Sequence, residues 1–107
     1  MPRVRTLSRH QAERIEAELP VGVLDAIRAT MEALDEPFHR WVRVPWVAAY
    51  ATNTAIFARV SRLQRTGLSQ KHAIGRTVAA LGLTHDAVHS LIYRSREFAR
   101  TPSKKVA

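Results

Sequence analysis

Apolar residues recur every three or four positions along almost the whole chain, and Pro or Gly interrupts them at a few points. That period places apolar side chains on one face of a helix, whereas a strand facing a core alternates every second residue. No stretch alternates over any length. The pattern predicts an all-α fold of about five helices, in a single domain spanning residues 1–107.

Boundary signals divide the pattern. Ser8, with Gln11 three residues on, forms a capping box ahead of the first helix. Ile15 and Leu19 share its face until Pro20. Leu24, Ile27, Met31 and Leu34 stand at 3-4-3 spacing in a second helix, which Pro37 closes. Residues Phe38–Val42 read as a short helical turn. Pro45 suits the first position of a long third helix, where its missing N–H costs nothing. Trp46, Tyr50, Asn53, Phe57 and Val60 form the bulky stripe of that helix, flanked by Ala49, Ile56 and Leu63. The stripe is assigned to the core, with the seam of a dimer as the alternative. A buried Asn53 would need a hydrogen-bond partner. Gly67 supplies a left-handed cap.

Ser69 opens a fourth helix over Gln70–Leu81, with Ala73, Ile74, Thr77, Val78 and Leu81 inward. Gly82 ends it. Thr84 caps a fifth helix, roughly His85–Phe98, with Val88, Leu91, Ile92 and Phe98 inward. Residues 101–107 read as a flexible basic tail.

Composition narrows the function classes. A length of 107 residues, 46% of them apolar, suits one small core. Cysteine is absent, which removes disulfides, cysteine zinc sites and thiol catalysis. The N-terminus carries no apolar run of the secretory kind, and the longest uncharged stretch, Val44–Ala58, is too short to span a bilayer. A cytoplasmic protein without membrane contact is expected.

Charge is unevenly placed. Residues 1–58 carry seven basic and seven acidic side chains, while residues 59–107 carry ten basic ones against Asp86 and Glu97 alone. The whole net charge of +8 therefore lies in the second half. Such asymmetry points to a polyanionic partner, of which nucleic acid is the commonest. A genome that favours Arg over Lys explains the choice of base. It does not explain the loss of acids from one half.

The segment Leu81-Gly82-Leu83-Thr84, with Val88 and Leu91 beyond it, joins two amphipathic helices by a sharp turn. Gly82 tolerates positive φ, Leu83 plugs the corner, and Thr84 satisfies free N–H groups of the next helix. The segment resembles the helix-turn-helix of bacterial and phage repressors over about 20–25 residues, which places that motif within residues 69–98. Within that family, Gly-Leu-Thr-x-x-Ala-Val is most similar to plasmid-encoded repressors of the TrfB/KorA type. Val78 departs from the pattern, which has Ala four residues before the turn Gly.

The resemblance implies sequence-specific binding of double-stranded DNA by a transcriptional regulator, most simply a repressor. His85, Asp86, His89, Ser90 and Tyr93 would then read base edges in the major groove. Asp86 also suits the first turn of a helix for its dipole. Lys71, Arg76, Arg94, Arg96 and Arg100 would contact phosphates. Arg59, Arg62 and Arg65 extend the basic stripe or form a solvated face, and Lys104 and Lys105 suit nonspecific backbone contact. Helix-turn-helix proteins commonly bind as two-fold dimers. Residues 1–66, with Phe38, Trp41 and Trp46, are the expected dimer interface of a homodimer.

Other classes fit less well. There is no Gly-rich phosphate loop and no paired carboxylate in the basic half, so the chain does not read as an enzyme and implies no cofactor. Ser69 with His72 reads as a helix start. His85 and His89 are four apart, but no third ligand stands near them, so no metal site is assigned. The main rival is a small basic helical adaptor or inhibitor that binds an acidic protein surface. Nonspecific nucleic-acid binding is a second rival. Against it, the outer face of the fifth helix is mixed polar instead of uniformly basic.

Overall fold

The computed structural model describes residues 7–106, with side chains through residue 95. Five α-helices and one short 3-10 helix follow in order: α1 (Arg9–Glu18), α2 (Val21–Ala33), the 3-10 helix (Phe38–Arg43), α3 (Pro45–Arg65), α4 (Gln70–Leu81) and α5 (His85–Val106). The described residues contain no strand. The chain is all-α. It divides into two compact units, residues 1–59 and 60–107, and the division falls inside α3.

Local chemistry sets the helix ends. The α1 capping box is complete: the Gln11 amide donates to Ser8 Oγ at 3.1 Å, and the Ser8 amide donates to Gln11 Oε1 at 2.9 Å. Leu19 is extended, as a residue before proline tends to be, and Pro20 leads into α2. Pro45 is the first residue of α3.

Two terminations share one geometry. After α2, the Asp35 amide donates to the Glu32 carbonyl and the Glu36 amide to Met31, both at 2.9 Å. After α3, Gly67 donates to Gln64 at 3.0 Å and Leu68 to Leu63 at 3.2 Å. Both sets are Schellman motifs, and each needs a left-handed residue at its centre. Gly67 has φ +107° and Asp35 φ +59°. Asp35 is the only non-glycine residue with positive φ among the described residues.

The first unit closes around Trp41, which is fully buried together with Ile15, Met31 and Val47. Its indole Nε1 donates to Glu16 Oε2 at 2.6 Å, so the one polar atom of the ring is satisfied. The 3-10 helix packs on α2, and the Arg28 guanidinium lies 4.5 Å from the centroid of the Phe38 ring. Arg59 donates through Nη1 to Glu18 Oε2 in a largely buried ion pair. Its charge is thus committed within the unit, so it neither extends a basic stripe nor lies on a solvated face.

Two expectations are corrected here. Trp41 is a core residue of its own chain, so it presents no dimer surface, while Phe38 is half-buried. The face of α3 assigned to the core is outside it over its first part, while Val60 and the flanking Ile56 are buried as expected. Trp46, Tyr50 and Asn53 are exposed and Phe57 is half-buried, while Val47, Ala51 and Ala55 are buried. The fold buries an adjacent row of smaller side chains on the same helix instead. Asn53 therefore needs no buried partner.

The left-handed Asp35 marks a position where the chain works against a Cβ. Replacing Asp35 with Gly should raise stability by about 0.5–1 kcal/mol, because an L-residue costs roughly 1–2 kcal/mol in this conformation and Gly returns part of that in the unfolded chain. Urea unfolding measures the change. A loss of stability would mean that the Asp35 side chain contributes more than its backbone costs.

Candidate nucleic-acid interface

The second unit builds its helix pair from the same local rules. Ser69 caps α4, its Oγ accepting from the His72 amide at 3.2 Å and lying 3.1 Å from His72 Nδ1. Ala73, Ile74, Thr77 and Leu81 form the buried face. Thr77 is buried without penalty because its hydroxyl donates to the Ala73 carbonyl at 2.8 Å. Gly82 follows in the left-handed region, with φ 66° and ψ 33°. Its amide donates to the Val78 carbonyl at 3.0 Å, and the Leu83 amide reaches the same oxygen at 3.2 Å.

Leu83 is buried at the corner. Thr84 then caps α5, its Oγ1 accepting from the Ala87 amide at 3.2 Å. Val88 and Ile92 return to the core, and α4 packs against α5. Val78, the departure from the repressor pattern, is only half-buried, and the fully buried position beside it is Thr77. Leu91 is half-buried as well.

The outer face of α5 carries every residue expected to read bases. His85, Asp86, His89, Ser90 and Tyr93 are all exposed. At 100° per residue they occupy an arc of about 140°, with His85 at the edge next to Ile92 and Ser90 at the far edge. Three of them form a ladder: His85 and His89 stack with ring centroids 5.7 Å apart and planes 17° apart, and His89 and Tyr93 follow at 6.1 Å and 8°. Periodicity did not announce this ladder, although the i, i+4, i+8 spacing of three flat side chains permits it. Asp86 stands in the first turn of α5, where it also favours the helix dipole.

The expected phosphate contacts are less unified. Lys71, Arg76 and Arg94 are exposed. Lys71 and Arg76 are five residues apart, which puts them about 140° apart around α4, on opposite flanks of its buried face. Arg94 Nε lies 3.4 Å from the Ser90 carbonyl, a long contact that leaves the guanidinium at the edge of the α5 outer face. The side chains of Arg96 and Arg100, with those of Phe98, Lys104, Lys105 and the tail at 101–107, lie outside the described part of the structure. The backbone of α5 runs to Val106, past the end expected at Phe98.

Charge follows the units. Residues 1–59 hold eight basic and seven acidic side chains, a net of +1, and residues 60–107 hold nine and two, a net of +7. The second unit thus keeps nearly the whole excess, and Asp86 is the one acid among its described side chains. Among the described residues no group of three or more metal-ligating side chains converges, and no helix is long and apolar enough to cross a membrane. His10, His39 and His72 are scattered and exposed.

No family model, no curated protein and no solved structure matches this chain.

Two glycines of the helix pair test its construction in opposite directions. Gly82→Ala should lower stability by about 1–2 kcal/mol, because φ is positive there. Gly75→Ala, in the middle of α4 with nothing within 4 Å of the added Cβ, should raise it by about 0.5–1 kcal/mol. Denaturant unfolding of both variants gives the signs, and equal signs would contradict the turn.

Proposed function

We propose that the α4–turn–α5 pair binds double-stranded DNA in a sequence-dependent way, and that the protein acts in the cytoplasm as a transcriptional regulator of the repressor type, as a homodimer. The observation that carries this reading is the outer face of α5. It is exposed, mixed polar and set directly behind a left-handed glycine turn, in the unit that holds a net +7. An α-helix fits the major groove, where side-chain donors and acceptors distinguish base pairs. His85, His89 and Ser90 offer donors and acceptors, and Asp86 accepts from a cytosine amino group. Tyr93 extends the ladder and adds apolar contact. Lys71, Arg76, Arg94, Arg96 and Arg100 serve the phosphates, which set affinity and register without carrying sequence.

Two measurements test it. If about five to eight phosphates are neutralised, log K should fall with log salt at a slope of roughly −4 to −7. Arg76→Ala or Arg94→Ala should weaken all duplexes alike and reduce the slope by about one. A flat salt dependence would remove the electrostatic part of the reading.

Specificity is separable from affinity. Duplexes selected from a random pool should show a consensus. Replacing both His89 and Ser90 with Ala should leave the melting transition nearly unchanged, since exposed substitutions shift stability by about 0.5 kcal/mol or less. It should cost up to about 1–3 kcal/mol per lost base contact on the preferred duplex and nothing on random DNA. An adaptor for an acidic protein would select no consensus. A double variant that still discriminates its preferred duplex as well as the parent would show that α5 is not the reader.

A further inference from the structure

The bulky face of α3 is exposed, and its residues are arranged in an unusual order. Trp46 is 61% exposed and Tyr50 49%, Asn53 is exposed, and Phe57 is half-buried. At 100° per residue the four share an arc of about 60°. No charged residue occurs from Val44 to Ala58. Single exposed apolar residues are ordinary, but an uncharged row of rings along one helix marks a contact surface.

We propose that this row is the seam of a homodimer, in which α3 packs antiparallel against α3 of a second copy about a two-fold axis passing between positions 51 and 52. The spacing admits a second copy as the occupant, and the chemistry of the layers and the absence of charge favour it. The intervals from 46 to 50, 53 and 57 are 4-3-4, which read the same in both directions. A reversed copy therefore falls into register. Position 46 meets 57 of the partner, and position 50 meets 53. In heptad terms 46 and 53 take d and 50 and 57 take a, so each layer of the antiparallel pair sets an a residue against a d residue.

The chemistry of the layers agrees with this register. The indole of Trp46 faces a phenyl ring, a pairing that favours offset or edge-to-face contact. The Tyr50 hydroxyl faces the Asn53 amide and donates to its Oδ1, so the polar groups that the seam buries satisfy each other. The two-fold axis brings no like charges together, because the face carries none. Residues 1–59, at net +1, can approach a copy of themselves without the repulsion that two units of net +7 would meet.

Three rings and their small neighbours on each copy fall short of the roughly 800 Å² per partner of a standard stable interface. A dissociation constant on the order of micromolar follows, instead of an obligate dimer. The inference deepens the dimer part of the proposed function and is independent of whether DNA is bound.

Sedimentation of the full chain without DNA tests it. The mass should rise with concentration from 12.1 kDa towards twice that value across the micromolar range. Trp46→Ala removes the largest aromatic anchor from both copies, at each end of the seam, and should weaken association by at least about 30-fold. Its melting transition should stay close to that of the parent at concentrations where both are monomeric. The absence of cysteine gives a second, independent reading of register. An equal mixture of Tyr50→Cys and Asn53→Cys chains should cross-link between unlike chains on mild oxidation, well above like-chain products. A parent that stays monomeric to several hundred micromolar would overturn the proposal, as would a dimer that Trp46→Ala leaves intact, or like-chain cross-links in equal yield. A monomer that still prefers one duplex would sink the seam and leave the DNA reading standing. A dimer with no preferred duplex would do the reverse.

Discussion

Helices of ten to thirteen residues, such as α1, α2 and α4, are marginal on their own in water, because nucleation is costly and few bonds are gained per turn. They persist here because the chain reverses soon after each and lays the next apolar stripe against the last. The reversals after α2, α3 and α4 depend on carbonyls that a helix end leaves open, and left-handed residues close them, whereas α1 ends at an extended Leu19 before Pro20. Gly67 and Gly82 take that conformation freely, while Asp35 takes it against its own Cβ. Without those turns, Leu83 would not reach its corner and Thr84 would not stand where it caps α5.

Electrostatics divide the chain along the same line as packing. Two acids of the first unit have structural work. Glu16 accepts from the buried Trp41 indole, and Glu18 holds Arg59 in a largely buried pair. Glu36 and Arg40 also approach, at 3.9 Å, but both are well exposed and contribute little. The second unit satisfies its buried polar groups without acids. Thr77 bonds back to its own helix, and Ser69 and Thr84 cap with hydroxyls. A positive field therefore survives on that unit, and it bears on the exposed His85–His89–Tyr93 ladder from the same chain segment.

The third helix shows how an apolar period can mislead. It carries two rows at helical spacing: large rings at 46, 50 and 57, and small side chains at 47, 51 and 55. Bulk favours the first row as core, since rings remove the most surface from water. The fold buries the second, beside a core whose bulk is already supplied by Trp41, Ile15 and Met31. A period reports that a face is apolar. It does not report whether the fold covers it.

Helix class, the capping box at Ser8, the proline start of α3, the caps at Ser69 and Thr84 and the glycine turn at Gly82 were all legible in the sequence. Each rests on groups within five residues of one another, so local chemistry is sufficient to specify it. The outward set on α5 was legible for the same reason: a helix of known start and known core residues has a determined outer face. The ion pair between Glu18 and Arg59, the indole bond from Trp41 to Glu16 and the exposure of Trp46 and Tyr50 were not. Those joined residues stand 25 and 41 positions apart. Only the closing of a tertiary core decides which of two equally periodic faces meets protein and which meets solvent.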